Sequence, residues 1–254
     1  MSAVRISTLD ATVLEEGRAR RAAVLERIRG AAERAGRDPA EVTLVGVAKK
    51  QPTPRILSAI AAGVHVLGQS YIQEAREIRP EIESALAGDP AADGIRLEWR
   101  MVGRLQRNKA GLAARLFDAI ESIDRVALVD TLARRVENEG RVLDVLLQVS
   151  LCGEPQKGGC EEDDLPALID RVDACESLRL RGLMTVPAAS ADPEEARPVF
   201  RRLRELRDRL ATERPDATLD TLSMGMSADL EVAVEEGATL VRVGTALFGE
   251  RAQA

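Results

Sequence analysis

The chain has 254 residues, with 36 Lys and Arg against 42 Asp and Glu, a formal net charge of −6 and a pI near 5.2. That acidic balance argues against a nucleic-acid footprint, which needs a basic patch, and the aromatics Tyr71, Trp99, Phe117, Phe200 and Phe248 are too scattered for a base-stacking platform. With His65 the only histidine, and Cys152, Cys160 and Cys175 forming no CxxC pair, a histidine-rich metal site is excluded and the cysteines read as ordinary thiols of a reducing compartment.

No run of about 18 apolar residues occurs, so no transmembrane helix is expected. Met1 to Asp10 lacks the apolar stretch of a signal peptide. The expectation is a cytoplasmic protein with no membrane or nucleic-acid partner. No apolar stripe demands a dimer, so a monomer is expected.

In chain order, residues 8–36 are polar and rich in Arg, Glu and Ala, with Val13, Ala22, Val24, Leu25 and Ile28 spaced for one long surface helix. Short β-branched runs then alternate with amphipathic stretches. Strands are predicted at 42–48, 65–68, 97–102, 117–121, 143–149, 178–184, 219–222 and 240–243. Between them, Thr53 reads as an N-cap with Pro54 at the first helical position. Asp124 reads as the cap of a helix carrying Val126, Val129, Leu132, Ala133 and Val136. Ser227 and Asp229 open another helix, and Gly237 closes it. The arginines from Arg197 to Arg209 read as a solvated helix face.

Strand–helix alternation over about 210 residues means parallel strands with helical crossovers. The predicted fold class is α/β, a single (β/α)8 TIM barrel spanning 1–254, with residues 1–40 as an N-terminal helical extension packed on it. No linker divides the chain.

Active sites of such barrels lie in the loops after the strand C-termini, and the unusual residues gather there. Lys49 follows the apolar run of strand one. Such a lysine either bends out to water or points into the barrel mouth, where a lowered pKa suits it to Schiff-base chemistry with a carbonyl. Adjacent Lys50 adds like-charge repulsion. The loop after strand seven carries Ser223, Gly225 and Ser227, and the loop after strand eight carries Gly244 and Thr245. Together they form an anion cradle of the kind barrels build there, although Ser227 also suits an N-cap and Gly244 a turn. Arg242 alternates with Val241 and Val243, so if the valines face the helices the guanidinium enters the barrel. There it needs a partner, either a structural carboxylate or a group on a bound ligand. His65 opens a strand and reads as packed or solvent-facing. Lys157-Gly158-Gly159 reads as a flexible basic loop.

Six segments in order carry a family likeness: VAKKQP at 47–52, LGQSYIQEA at 67–75, EWRMVGRLQRNK at 98–109, LRGLMTVP at 180–187, LSMGMSADLEVAVEEG at 222–237 and VRVGTALFG at 241–249. With these the chain resembles the pyridoxal phosphate homeostasis proteins, single-domain proteins related to the N-terminal barrel of alanine racemase. The resemblance implies pyridoxal 5′-phosphate (PLP) as cofactor, carried by Lys49 as an internal aldimine. It implies phosphate contacts from Ser227, Gly244 and Thr245, with Ser223 and Gly225 beside them, and Arg242 next to the pyridine nitrogen. Ser70 stands where the family's FGEN motif has its Asn. Arg100 and Arg104 stand for His and Pro in the family's WHxxGPLQxNK.

The implied role is to carry or buffer PLP in vitamin B6 homeostasis without robust catalysis, with apo PLP-dependent enzymes as partners. The alternative is an amino-acid racemase of the alanine racemase type. That type adds a C-terminal domain carrying a tyrosine base, and this chain, ending soon after strand eight with Tyr71 its only tyrosine, is expected to lack it. A Schiff-base lyase acting on a sugar phosphate shares Lys49 and the anion loops.

Overall fold

The computed structural model describes residues 4–250. The first three positions of the expected N-terminal extension and the last four of the expected domain lie outside the described residues. Eight parallel strands close into a barrel in chain order. They are β1 (Thr43–Val47), β2 (Val66–Gln69), β3 (Glu98–Met101), β4 (Ala119–Ile123), β5 (Leu143–Gln148), β6 (Leu178–Met184), β7 (Thr221–Ser223) and β8 (Leu240–Val243). Closure is made by β1 on β8, with Thr43 opposite Leu240 and Gly46 opposite Val243.

The helices are α1 (Ala11–Arg34) before the barrel, then α2 (Thr53–Ala61), α3 (Ile72–Leu86), α4 (Ala110–Leu116), α5 (Val126–Asn138), α6 (Leu165–Asp173), α7 (Arg197–Glu213) and α8 (Leu230–Glu235) in successive crossovers, and α9 (Thr245–Phe248) after β8. All eight predicted strands are present, and the (β/α)8 barrel with its leading helix is the observed architecture. Strand four begins at Ala119 rather than 117 because Phe117 caps α4 and is fully buried. Strand seven begins at Thr221, where its ladder on β6 starts opposite Gly182, and Leu219 is buried ahead of it.

Two apolar layers follow from the period-2 alternation of strand side chains. Val241 and Val243 face outward into the main core with Trp99, Phe117, Phe200 and Phe248. Val45, Val47 and Leu240 form a separate inner cluster, with Val66 and Val102 packed on it. Strands buried on both faces read as near-continuous apolar runs, which is why the barrel is visible in the sequence.

Three predicted caps do other work. Thr53 lies inside the first turn of α2, behind Pro52 as N-cap, and its hydroxyl donates to Glu81 at 2.6 Å. Arg125, not Asp124, is the N-cap residue of α5, and Asp124 pairs with it. Asp229 precedes α8 without capping it; its carboxylate accepts instead from the Met226 N–H at 2.5 Å. In each case a competing polar partner took the side chain. Gly237 does follow α8 with φ +100, as expected of a C′ glycine. The α7 arginines are more than a solvated face: Arg197, Arg201 and Arg204 all pair with Glu236 of the α8 cap. His65 faces solvent.

The helix α1 lies against α2, α8 and α9. Its Arg27 grips Glu231 in a two-pronged pair (Nε–Oε1 2.6 Å, Nη2–Oε2 2.7 Å) and also donates from Nη2 to the Ser227 carbonyl at 2.9 Å. The leading helix is thereby tied to a loop of the barrel mouth.

All three cysteines are free. Cys160 is buried, and burial pushes its thiol up to about 12. A thiolate is the reactive form, and with that value only about one molecule in ten thousand carries it at pH 8. Under native conditions an alkylating reagent should label the partly exposed Cys152 and Cys175 and leave Cys160 unlabelled until the chain is denatured. Peptide mass mapping reads the difference.

Candidate functional site

A cavity of about 410 Å³ opens at the C-terminal ends of the strands. That is within the range of small-molecule sites. Lys49, Ser70, Ser227, Arg242, Gly244 and Thr245 all line it. Six of the eight residues singled out in the sequence therefore meet around one space, though they come from five different loops and strands.

Lys49 follows the buried end of β1 and is itself partly buried. Its neighbour Lys50 is exposed and has φ +57, the sole non-glycine residue with positive φ among the described residues. Left-handed backbone is costly for a residue with a Cβ and clusters at functional sites. Here the turn is held by the Lys50 N–H donating to Glu74 Oε1 at 2.5 Å and the Gln51 N–H donating to the Ala48 carbonyl at 3.1 Å. It sends the second lysine to solvent and leaves Lys49 at the mouth.

Ser227 is not a helix cap. Its hydroxyl accepts from the backbone N–H groups of Gly244 and Ala246, each at 3.3 Å. The loops after β7 and β8 thus converge as a set of donors, with Thr245 exposed beside them. Gly225 is set back from the cavity. A Cβ there would sit 2.5 Å from that of Ala233, so the residue is a glycine for packing on α8, and its carbonyl accepts from the Arg242 N–H at 2.9 Å.

Arg242 does enter the barrel. Its Nη1 donates to Ser223 Oγ at 2.5 Å and its Nη2 to the Thr185 carbonyl at 2.8 Å. Ser223 in turn donates to Glu121 Oε2 at 2.5 Å, and Arg100 Nε donates to Glu121 Oε1 at 2.6 Å. Arg100 also pairs with Glu98. A buried polar rod therefore runs through the barrel interior from the mouth toward the opposite end, and Ser223 belongs to the rod rather than to the cavity wall. The partner of Arg242 is a structural carboxylate reached through a hydroxyl, while the same guanidinium also lines the cavity. Burial lowers the Arg242 pKa, against the pull of Glu121 and Asp229. For Arg100 burial also opposes the charge, but Glu121 and Glu98 outweigh it and the pKa rises. Burial raises Asp229, opposed by the Met226 N–H and Arg242.

Sequence reasoning missed part of the wall. Gln148, at the end of β5, donates from Nε2 to the Lys157 carbonyl at 2.8 Å, and both residues line the cavity. Lys157 Nζ donates to Glu154 Oε1 at 2.9 Å and to the Pro187 carbonyl at 2.7 Å. The segment read as a flexible basic loop is thus anchored against the mouth. The Gly-Gly after Lys157 was the one visible signal. Tyr71 is 52% exposed and lies outside this cavity.

Comparison with known proteins matches residues 20–252 to the alanine racemase N-terminal domain family. A pyridoxal phosphate homeostasis protein of Pseudomonas aeruginosa is 44% identical over 230 residues, covering 91% of this chain and 94% of that one. The chain belongs to the pyridoxal phosphate homeostasis protein family. Among solved structures, PipY of Synechococcus elongatus with PLP bound is 34% identical with a TM-score of 0.76, covering 89% of this chain and all of that one. A protein from Bifidobacterium adolescentis described as unknown is 32% identical with a TM-score of 0.86, covering 97% of this chain and 99% of that one.

Glu121, with no exposed surface, sits between Arg100 and the Ser223–Arg242 pair. Removing one member of a buried charge cluster leaves the others uncompensated. Glu121→Ala should therefore cost about 3–5 kcal/mol of stability, and Ser223→Ala about 1–3 kcal/mol. Urea unfolding of the two variants reads both. A Glu121→Ala variant as stable as the parent would show that the rod carries no load.

Proposed function

We propose that the chain binds PLP in the mouth cavity and carries or buffers it for apo PLP-dependent enzymes, without robust turnover of its own. The observation behind this reading is the meeting of Lys49, the Ser227–Gly244–Thr245 donors and Arg242 around one cavity. The residues fit the three chemical handles of that cofactor: an amine for its aldehyde, the Ser227 and Thr245 hydroxyls for its phosphate, and a guanidinium for its ring nitrogen. PLP bound in PipY, a relative of similar fold, supports the same occupant.

When bound, PLP supplies an electrophilic aldehyde and an electron-withdrawing ring. Lys49 would hold the aldehyde carbon through its amine, one water leaving as the bond forms. The hydroxyls of Ser227 and Thr245 would donate to the phosphate beside Gly244, with the Ser227 oxygen held by the Gly244 and Ala246 N–H groups and its loop steadied by the Arg27 bond to the Ser227 carbonyl. Arg242 has only donors to offer. It would orient the ring without protonating its nitrogen, which would leave the ring a weak electron sink.

Proton transfer at both faces of a bound amino acid needs a second base within hydrogen-bond reach. The only tyrosine faces solvent outside the cavity. The naming of curated relatives as homeostasis proteins agrees with holding rather than turnover.

The purified protein mixed with PLP should develop a visible absorption band that borohydride reduction abolishes. Lys49→Ala should lose the band while keeping its circular dichroism; a band that survives in that variant would move the covalent role to Lys50. Ser227→Ala with Thr245→Val should weaken PLP about ten-fold or more, and pyridoxal far less, since each charge-assisted bond is worth about 1.5–3 kcal/mol. Equal losses for both ligands would put the phosphate elsewhere. Rapid, Lys49-dependent racemisation of any amino acid would overturn the carrier reading.

A further inference from the structure

A second cavity, of about 460 Å³, opens on the same face of the barrel, between the loops that follow β2 and β3. It shares Ser70 and Arg104 with the mouth cavity. Arg104, Arg107 and Lys109 line it, and none has a carboxylate within ion-pairing distance among the described residues. Arg125 lines it too but is neutralised by Asp124. In a chain of net charge −6 this is no shortage of anions. The arginines of α7 show the contrast, three of them crowding onto Glu236.

The cleft is preformed. The position of a Cβ on Gly103 falls 2.2 Å from the Ser70 carbonyl oxygen, so the two loops run backbone against backbone. Ser122 Oγ donates to the Gly103 carbonyl at 2.7 Å, and Arg125 Nη2 to that of Leu105 at 3.2 Å, pinning the cationic loop. The first turn of α3 adds backbone N–H groups at Ile72 and Gln73, with no side chain capping them.

We propose that this cleft is a second anion site and takes a phosphate-bearing small molecule. Three unpaired cations match a dianion better than a carboxylate, and two of them are arginines, whose planar fork suits phosphate oxygens. In barrel order β1 stands between this cleft and the loops after β7 and β8, so the site is separate from the Ser227 cradle. Because Arg104 lines both cavities, an anion in the cleft acts on the electrostatics of the mouth. The inference does not depend on which cofactor the mouth takes.

The test is calorimetric titration of the full chain with inorganic phosphate and with pyrophosphate, at fixed ionic strength in chloride. The parent is compared with Arg107→Ser/Lys109→Ser and with Ser227→Ala/Thr245→Val. Binding by the parent, about ten-fold weaker in the first double variant and retained in the second, supports the cleft. Loss confined to the Ser227/Thr245 variant would return the phosphate to the mouth and overturn the proposal. So would equal affinity in all three proteins, or no binding by the parent. Circular dichroism of the Arg107/Lys109 variant separates a lost site from a lost fold.

Discussion

Arg242 carries its charge into the interior of a closed barrel, and most of what surrounds it answers the cost of that position. A guanidinium taken out of water loses solvation that only close, well-aligned partners restore. Ser223 and Thr185 provide acceptors, Glu121 provides the opposite charge one hydroxyl away, and Arg100 holds Glu121 from the other side. Four strands, β3, β4, β7 and β8, contribute one side chain each. The rod is thus also a cross-brace: no one of these strands can shift its register without breaking a charged contact inside the barrel.

The mouth depends on that brace. Arg242 lines the cavity at a place set by its partners behind it, while Lys49 is delivered by the stiff end of β1 and Ser227 by a loop gripped from outside by Arg27. The side chains of the cavity wall are therefore held from three directions: the barrel interior, the strand end and the leading helix. Such support from behind the site is what gives geometric precision to residues that themselves sit in loops.

The barrel was legible because its strands are buried on both sides and its crossovers are amphipathic, and alternation alone put Arg242 inside, opposite in facing to Val241 and Val243. Lys49, Ser227, Gly244 and Thr245 were legible because barrel chemistry gathers at strand C-termini. What could not be read were the choices between local and distant partners. Thr53, Asp124 and Ser227 each had the chemistry of a cap, but Glu81, Arg125 and the β8 loop competed successfully for them. Glu121 was hidden for the same reason: a carboxylate in an apolar strand has no meaning until the arginines on either side of it are known. Gln148 and Lys157 joined the wall through a contact between a strand end and a loop, which no periodicity encodes.

The left-handed turn at Lys50 bears on how the chain tells two identical amines apart. Lys49 and Lys50 are adjacent and chemically the same, so intrinsic reactivity toward a carbonyl cannot select between them. Backbone handedness at one residue does it instead, putting one amine in the cavity and the other in bulk water. Selectivity is thereby written into a torsion angle rather than into a functional group. The exposed lysine meets whatever the solvent carries, while its neighbour meets only what fits the cavity.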